Sequence, residues 1–146
     1  MATETNQLRV RLVTPDRVLV DAMATAVELP TKTGYIEVLY GAAPLLAELG
    51  AGDVSLHGAA SGLASGSAAT RFNVSWGFVE VLPERVTILA NDAILPADID
   101  LPRAQEQLDH GHALWKAAGD SAEAYAQANR VIDEAEARLA SAAHRE

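Results

Sequence analysis

The hydrophobic period of this chain changes once, after Pro96, and that change limits the fold to one with two differently built parts. Before Pro96, apolar and polar residues alternate, as in Leu8, Val10 and Leu12 against Arg9 and Arg11. Alternation with a period of two marks strands with one buried face. After Pro96 the apolar positions are Leu101, Ala104, Leu108, Gly111, Trp115 and Ala118. Past the polar break Gly119-Asp120-Ser121 come Tyr125, Ala128, Ile132, Ala135, Leu139 and Ala142. Spacings of three and four place each series on one face of a helix. The expected fold is α+β. Residues 1–96 form a flattened antiparallel β-sandwich, and residues 97–146 an antiparallel two-helix hairpin.

Turn residues divide the first part into many short strands. Thr14-Pro15-Asp16-Arg17, Thr31-Lys32-Thr33-Gly34 and Pro83-Glu84 are turns, and Gly77 is expected to break the run Arg71-Phe72-Asn73-Val74-Ser75-Trp76 from Phe78-Val79-Glu80-Val81-Leu82. Short strands with turn signals at close intervals suit a sandwich or barrel. Gly58 to Thr70, small and low in complexity, reads as a long hairpin loop. In the second part Ser121 is a candidate N-cap, with Glu123 in the first turn. The Ala-rich stripes allow close approach but bury little surface per turn, so the hairpin is expected to be weakly held to itself.

The stretch from Gly34 to Gly52 is the most shaped of the sheet part. It runs from the strand Tyr35–Leu39 through Gly41 and Pro44 into Leu45–Leu49. Pro44 has no amide to give a ladder, so a feature of this kind suits a docking surface on which no catalysis occurs. The rest of the sequence agrees. A net charge of −9 argues against nucleic-acid partners and anionic membrane surfaces, which call for basic patches. There is no cysteine, hence no disulfide, thiolate site or Cys nucleophile. No apolar run approaches the ~20 residues of a span, so no direct membrane insertion is expected. The polar start is not a signal peptide, and a soluble, cytosolic chain is expected. His110 and His112 lie about 200° apart on a helix and do not chelate one ion. Glu80 and Glu84 have no histidine or second carboxylate set near them in sequence for acid–base work. No catalytic residue and no metal ligand is therefore expected.

Four segments, in order, resemble the epsilon subunit of bacterial F-type ATP synthases, the homologue of the mitochondrial delta subunit. They are Val13-Thr14-Pro15-Asp16, Leu29-Pro30 through Leu46, Ser75-Trp76-Gly77-Phe78-Val79-Glu80-Val81 and Val86-Thr87-Ile88-Leu89-Ala90. The resemblance implies a non-catalytic central-stalk (rotor) subunit that couples c-ring rotation through gamma to the catalytic head. Its hairpin either folds down or extends toward the alpha and beta subunits to regulate ATP hydrolysis. The implied partners are the gamma subunit and the c-ring. The implied place is peripheral, on the cytoplasmic face of the bacterial inner membrane. A stand-alone β-sandwich ligand-binding module is the competing reading, and it leaves the hairpin unexplained.

Within the resemblance, the c-ring and gamma contacts fall on Tyr35, Tyr40, Ala42, Pro44 and Trp76. Ala42 replaces the family's usual His, Tyr40 its Pro and Trp76 a Gly; Tyr35 occupies a position that is acidic in some relatives. Ile99-Asp100-Leu101-Pro102-Arg103-Ala104 resembles the nucleotide motif of ATP-binding members and implies ATP as a weak regulatory ligand on Asp100, Arg103 and Arg138. The alternative for the same residues is a plain helix start capped by Asp100. The second helix sets Arg130 and Arg138 among Asp133, Glu134 and Glu136, so electrostatic inhibition is expected to be weak.

Overall fold

The computed structural model describes residues 6–59 and 70–143. The chain divides between Ala93 and Ile94 into two compact units, so the boundary falls just before the Pro96 read from the sequence. Residues 60–69, most of the expected hairpin loop, lie outside the described residues. The loop's flanks are joined by the Leu56 amide, which donates to the Thr70 carbonyl at 2.8 Å.

The first unit holds strands β1 (Leu8–Val13), β2 (Val18–Ala24), β3 (Ala26–Thr31), β4 (Gly34–Leu39), β5 (Leu45–His57), β6 (Arg71–Leu82) and β7 (Arg85–Ile94). They make one sheet in the order β2-β1-β7-β6-β5-β3-β4. β1 pairs in parallel with β7, and the β1–β2, β3–β4, β3–β5 and β5–β6 pairs are antiparallel. The core is built from one face of each strand, with Leu8, Val10, Leu12, Val27, Leu29, Val54, Phe72, Val74, Val79, Val86 and Ile88 all at most 1% exposed.

Two strands are far longer than the sequence suggested. β5 has 13 residues and β6 has 12, so neither Gly50 nor Gly77 ends a strand. The ladder runs through, pairing Leu49 with Gly77 and Ala51 with Ser75. The burial pattern changes phase there instead. β6 buries every residue from Phe72 to Trp76, its apolar ones at even positions, and then Val79 and Val81 at odd ones. β5 buries both Leu49 and Gly50 and then Gly52, Val54 and Leu56. The cause lies in Trp76 (φ 59°) and Gly77 (φ 128°), which leave the β region and turn the strand over. The β3–β5 register shifts at the same level, between Glu28 and Thr31, where Pro30 lacks a ladder donor. A glycine is required at 77, because a Cβ there would strike the Leu89 carbonyl.

The second unit begins with a 3-10 turn, Pro96–Asp98, and continues as α1 (Leu101–Lys116) and α2 (Ala122–Ala143). Asp100 caps α1, its carboxylate accepting from the Arg103 amide at 3.1 Å. Ser121 caps α2, its hydroxyl accepting from the Ala124 amide at 3.1 Å. Gly119, at φ 61°, reverses the chain between them. Buried positions are Ala104, Gly111, Ala118, Ala128, Ala135, Ser141 and Ala142, whereas Leu101 and Trp115 of the expected stripe are exposed. Trp115 instead meets Tyr125 edge-on at 5.4 Å, at the turn of the hairpin.

Candidate docking surface

The stretch from Gly34 to Gly52 forms a surface because its backbone is pinned while its large side chains point outward. Thr31 Oγ1 donates to the Gly34 carbonyl at 2.6 Å and accepts from the Thr33 amide at 3.2 Å, closing the tight β3–β4 turn. Beyond the edge strand β4, the Gly41 amide donates to the Pro83 carbonyl at 2.7 Å and the Ala42 amide to the Leu39 carbonyl at 3.2 Å. Gly41 adopts φ 87°, which its lack of a Cβ permits. Leu39, Tyr40, Leu45 and Leu46 are left exposed, Leu46 at 72%. Pro44 is exposed and Ala42 half-buried. Tyr35 lies across Gly52, and its hydroxyl accepts from the Asp53 amide at 2.9 Å. Tyr40, Ala42 and Pro44 thus share the loop that follows β4, whereas Tyr35 stands at the other end of that edge strand, beside the β3–β4 turn. Trp76 does not join them as surface: it is 9% exposed, with the Lys32 ammonium 6.0 Å from its ring.

A second exposed feature crosses the sheet and escaped the sequence reading. Phe78, Leu89 and Val18 are exposed and Val13 half-buried, and all four stand on outward positions of neighbouring strands. Val18 pairs with Val13 and Val13 with Leu89, while the Gly77 backbone lies against the Leu89 carbonyl and so brings Phe78 alongside. The result is an apolar band over β2, β1, β7 and β6, extended diagonally to Leu46 on β5. The signal available was an apolar residue on the solvent phase of an alternating strand, as Phe78 before Val79 and Leu89 after Ile88.

Charge divides along this band. Glu80 faces Leu46 and Glu48 faces Phe78, Glu48 also reaching Lys32 at 3.2 Å. On β1 and β7, Arg9 stands beside Arg85 in register. Arg9 holds Asp21 through two 2.9 Å hydrogen bonds, and Arg11 lies 3.8 Å from the same carboxylate. The Arg9 hydrogen bonds hold the Asp21 carboxyl below the usual carboxylate range, with the charges of Arg9 and Arg11 adding to the effect and desolvation opposing it.

On the hairpin, the nucleotide candidates are not assembled around one space. The Asp100 carboxylate is engaged as the cap, and Arg103 is exposed with no ion pair of its guanidinium among the described residues. Arg138 is turned onto Gln107 and Glu134, one helical turn beyond Arg103. It donates to Gln107 Oε1 at 2.9 Å and reaches Glu134 Oε1 at 3.1 Å.

The family model for the "ATP synthase, Delta/Epsilon chain, beta-sandwich domain" matches residues 7–96. The chain belongs to the ATP synthase delta/epsilon family. An ATP synthase epsilon chain of Solibacter usitatus is 39% identical over 138 residues, 92% of this chain and 95% of that one. One of Koribacter versatilis is 44% identical over 97 residues, 65% of this chain and 62% of its own length. A chain in the Euglena gracilis mitochondrial ATP synthase structure, described as OSCP/F1/c-ring, superposes with a TM-score of 0.73. It shares 20% identity and covers 98% of this chain and 85% of its own. That likeness concerns the fold, a seven-stranded sheet followed by two helices.

Membership in the epsilon-chain family accounts for both units of the chain. The Solibacter match extends through the hairpin as well as the sheet, which a stand-alone ligand-binding sandwich does not explain. No group of three or more potential metal ligands occurs among the described residues, and His110 and His112 are both exposed. No helix among them is long and apolar enough to cross a membrane.

Proposed function

We propose that this chain is the non-catalytic epsilon subunit of an F-type ATP synthase, working in the central stalk between gamma and the c-ring. The observation that carries the proposal is the 138-residue match to an ATP synthase epsilon chain, which spans both units. The edge region at Tyr35, Tyr40, Ala42 and Pro44 would meet the polar loops of the c-ring, and the band Val18–Val13–Leu89–Phe78–Leu46 the gamma subunit. Torque transfer asks for stiffness, and the loop at Tyr40–Pro44 has it through the Gly41 tie to Pro83. Such a subunit sits peripherally on the cytoplasmic face of the bacterial inner membrane, without inserting. Trp76 supports the surface from behind, under Lys32, and is not a primary contact.

Regulation follows from the hairpin chemistry. ATP at Asp100, Arg103 and Arg138 would have to displace Glu134 from Arg138, so binding is weak. Inhibition through alpha and beta is small for a separate reason, because Asp133, Glu134 and Glu136 stand among Arg130 and Arg138 on α2. The test is co-expression with gamma and reconstitution into epsilon-depleted membranes. A stoichiometric gamma complex that restores ATP-driven proton pumping supports the proposal; a chain that purifies alone and restores nothing overturns it. For the nucleotide, calorimetry with ATP on wild type and Arg103→Ala is decisive. Tight binding lost in the variant would contradict the weak-ligand reading.

A further inference from the structure

We infer that the Gln107–Glu134–Arg138 clasp is the register lock of the helical hairpin. The buried positions include a seven-residue repeat on both sides: Ala104 and Gly111 on α1, continued by Ala118 just past its end, and Ala128, Ala135 and Ala142 on α2, with Ser141 buried beside the last. Side chains this small make no knobs. Sliding one helix along the other by seven residues, about 10 Å, lays small residues on small residues again. Packing of this stripe alone therefore leaves the register degenerate; the turn through Gly119, with the Ser121 amide bonded to the Ala118 carbonyl, sets it at one end, and contacts along the helices must hold it away from the turn.

Two features break the degeneracy. The first is Gly111, where a Cβ would lie 2.7 Å from Ile132 Cγ1 and 3.2 Å from the Ile132 amide nitrogen. Neither Ala104 nor Ala118 can take that place without parting the helices. The second is the clasp. Arg138 donates from Nη1 to Gln107 Oε1 at 2.9 Å, and Gln107 donates from Nε2 to Glu134 Oε1 at 3.2 Å. Arg138 Nη2 closes the ring on Glu134 Oε1 at 3.1 Å, with both charged side chains only about one-fifth exposed, 21% and 22%. A seven-residue slide brings Leu114 to the place of Gln107 in one direction and the capping Asp100 in the other. Leu114 offers the clasp neither donor nor acceptor, and moving Asp100 sacrifices the helix cap. A partly desolvated ion pair contributes little net stability but penalises every arrangement that leaves it open, which is how polar groups set register in helical pairs.

The chain has no cysteine, so two introduced thiols report the register without background. Spin labels at the exposed Glu106 and Asn129 of the full chain should give one narrow distance in the wild-type background. In Arg138→Ala the distribution should broaden or gain a second distance. The double exchange Glu134→Arg with Arg138→Glu should restore the narrow one, because the Gln107 amide can offer its oxygen to one partner and its NH2 to the other in either order. Helicity measured alongside confirms that each variant folds. A narrow, unmoved distance in Arg138→Ala would overturn the inference even with lowered thermal stability, since a pair that merely stabilises gives that result. An exchange variant as broad as the single variant would overturn it as well.

Discussion

At the scale of single residues, the sheet turns over on Trp76 and Gly77. A tryptophan at φ 59° carries a backbone cost of about 1–2 kcal/mol, and burial of its large ring outweighs that cost by itself. Gly77 has no such compensation to offer a replacement. Gly77→Ala meets both the φ of 128° and the Leu89 carbonyl, so the expected loss is about 3 kcal/mol or more, read from denaturant midpoints. An alanine variant as stable as wild type would mean that the strand is not built this way. Asp21 gives a different kind of prediction. Its folded carboxyl titrates lower than in the unfolded chain, chiefly because Arg9 hydrogen-bonds the charged form. The stabilisation is present above the unfolded carboxylate value, about 4, and is lost as pH falls through the lower folded value. Asp21→Asn should melt slightly below wild type near neutrality, with the gap closing in acid. A gap that widened in acid would reverse the sign. The carboxylate is a third exposed, so the neutral-pH gap is small.

At the scale of elements, alternation and spacing made the strands, the turns at Thr14 and Thr31 and both helices readable from the sequence. What they hid is continuity. A Trp-Gly pair looks like a strand end because alternation fails there, yet the ladder needs only its amides and carbonyls, and β6 carries it through the phase change. Trp76 points inward in phase with Phe72 and Val74, as the alternation of its own run already implied, so it is a poor candidate for a surface contact. Asp100 as a cap was legible because capping is local. The engagement of Arg138 was only half so. Glu134 stands four residues before it on one helix, whereas Gln107 comes from the other helix and depends on the hairpin register. Close approach in that hairpin sets two effects against each other at Gly111. Replacing it with alanine gains about 1 kcal/mol of helix propensity, but the contact with the Ile132 backbone nitrogen cannot relax by a side-chain rotation alone, and overpacking costs about 1–3 kcal/mol. The clash should win, and Gly111→Ala should lower the thermal midpoint of the hairpin, followed by helical circular dichroism. A raised midpoint would show that the helices part easily.

At the scale of the molecule, the chain offers two surfaces that adjoin at Leu46, and the stalk assignment is testable by whether the rest of each fails separately. Leu46 and Phe78 are 72% and 53% exposed, so replacing either by glutamate removes little of the sheet's own core. In a complex with gamma, each would lose the burial of one large apolar side chain, about 1.5–3 kcal/mol, or roughly a ten- to hundredfold weaker affinity. The added charge falls opposite Glu80 or Glu48, a like-charge cross-strand pair that costs the free subunit about 0.2–1 kcal/mol. Calorimetric titration of gamma should show that weakening while the thermal midpoint of the free subunit falls only slightly, by the cost of the like-charge pair. Substitutions in the pinned loop, Tyr40→Ala or Ala42→Glu, should behave in the opposite way, because they stand at the end of the edge region and not on the band. Gamma affinity should hold and ATP-driven proton pumping in reconstituted membranes should fall, since the lost contact is with the ring. If the band variants left gamma binding intact, the cross-strand band would not be the shaft-facing surface. If the loop variants weakened gamma binding as strongly as the band variants, the two regions would form a single interface, and the division of partners between them would be wrong.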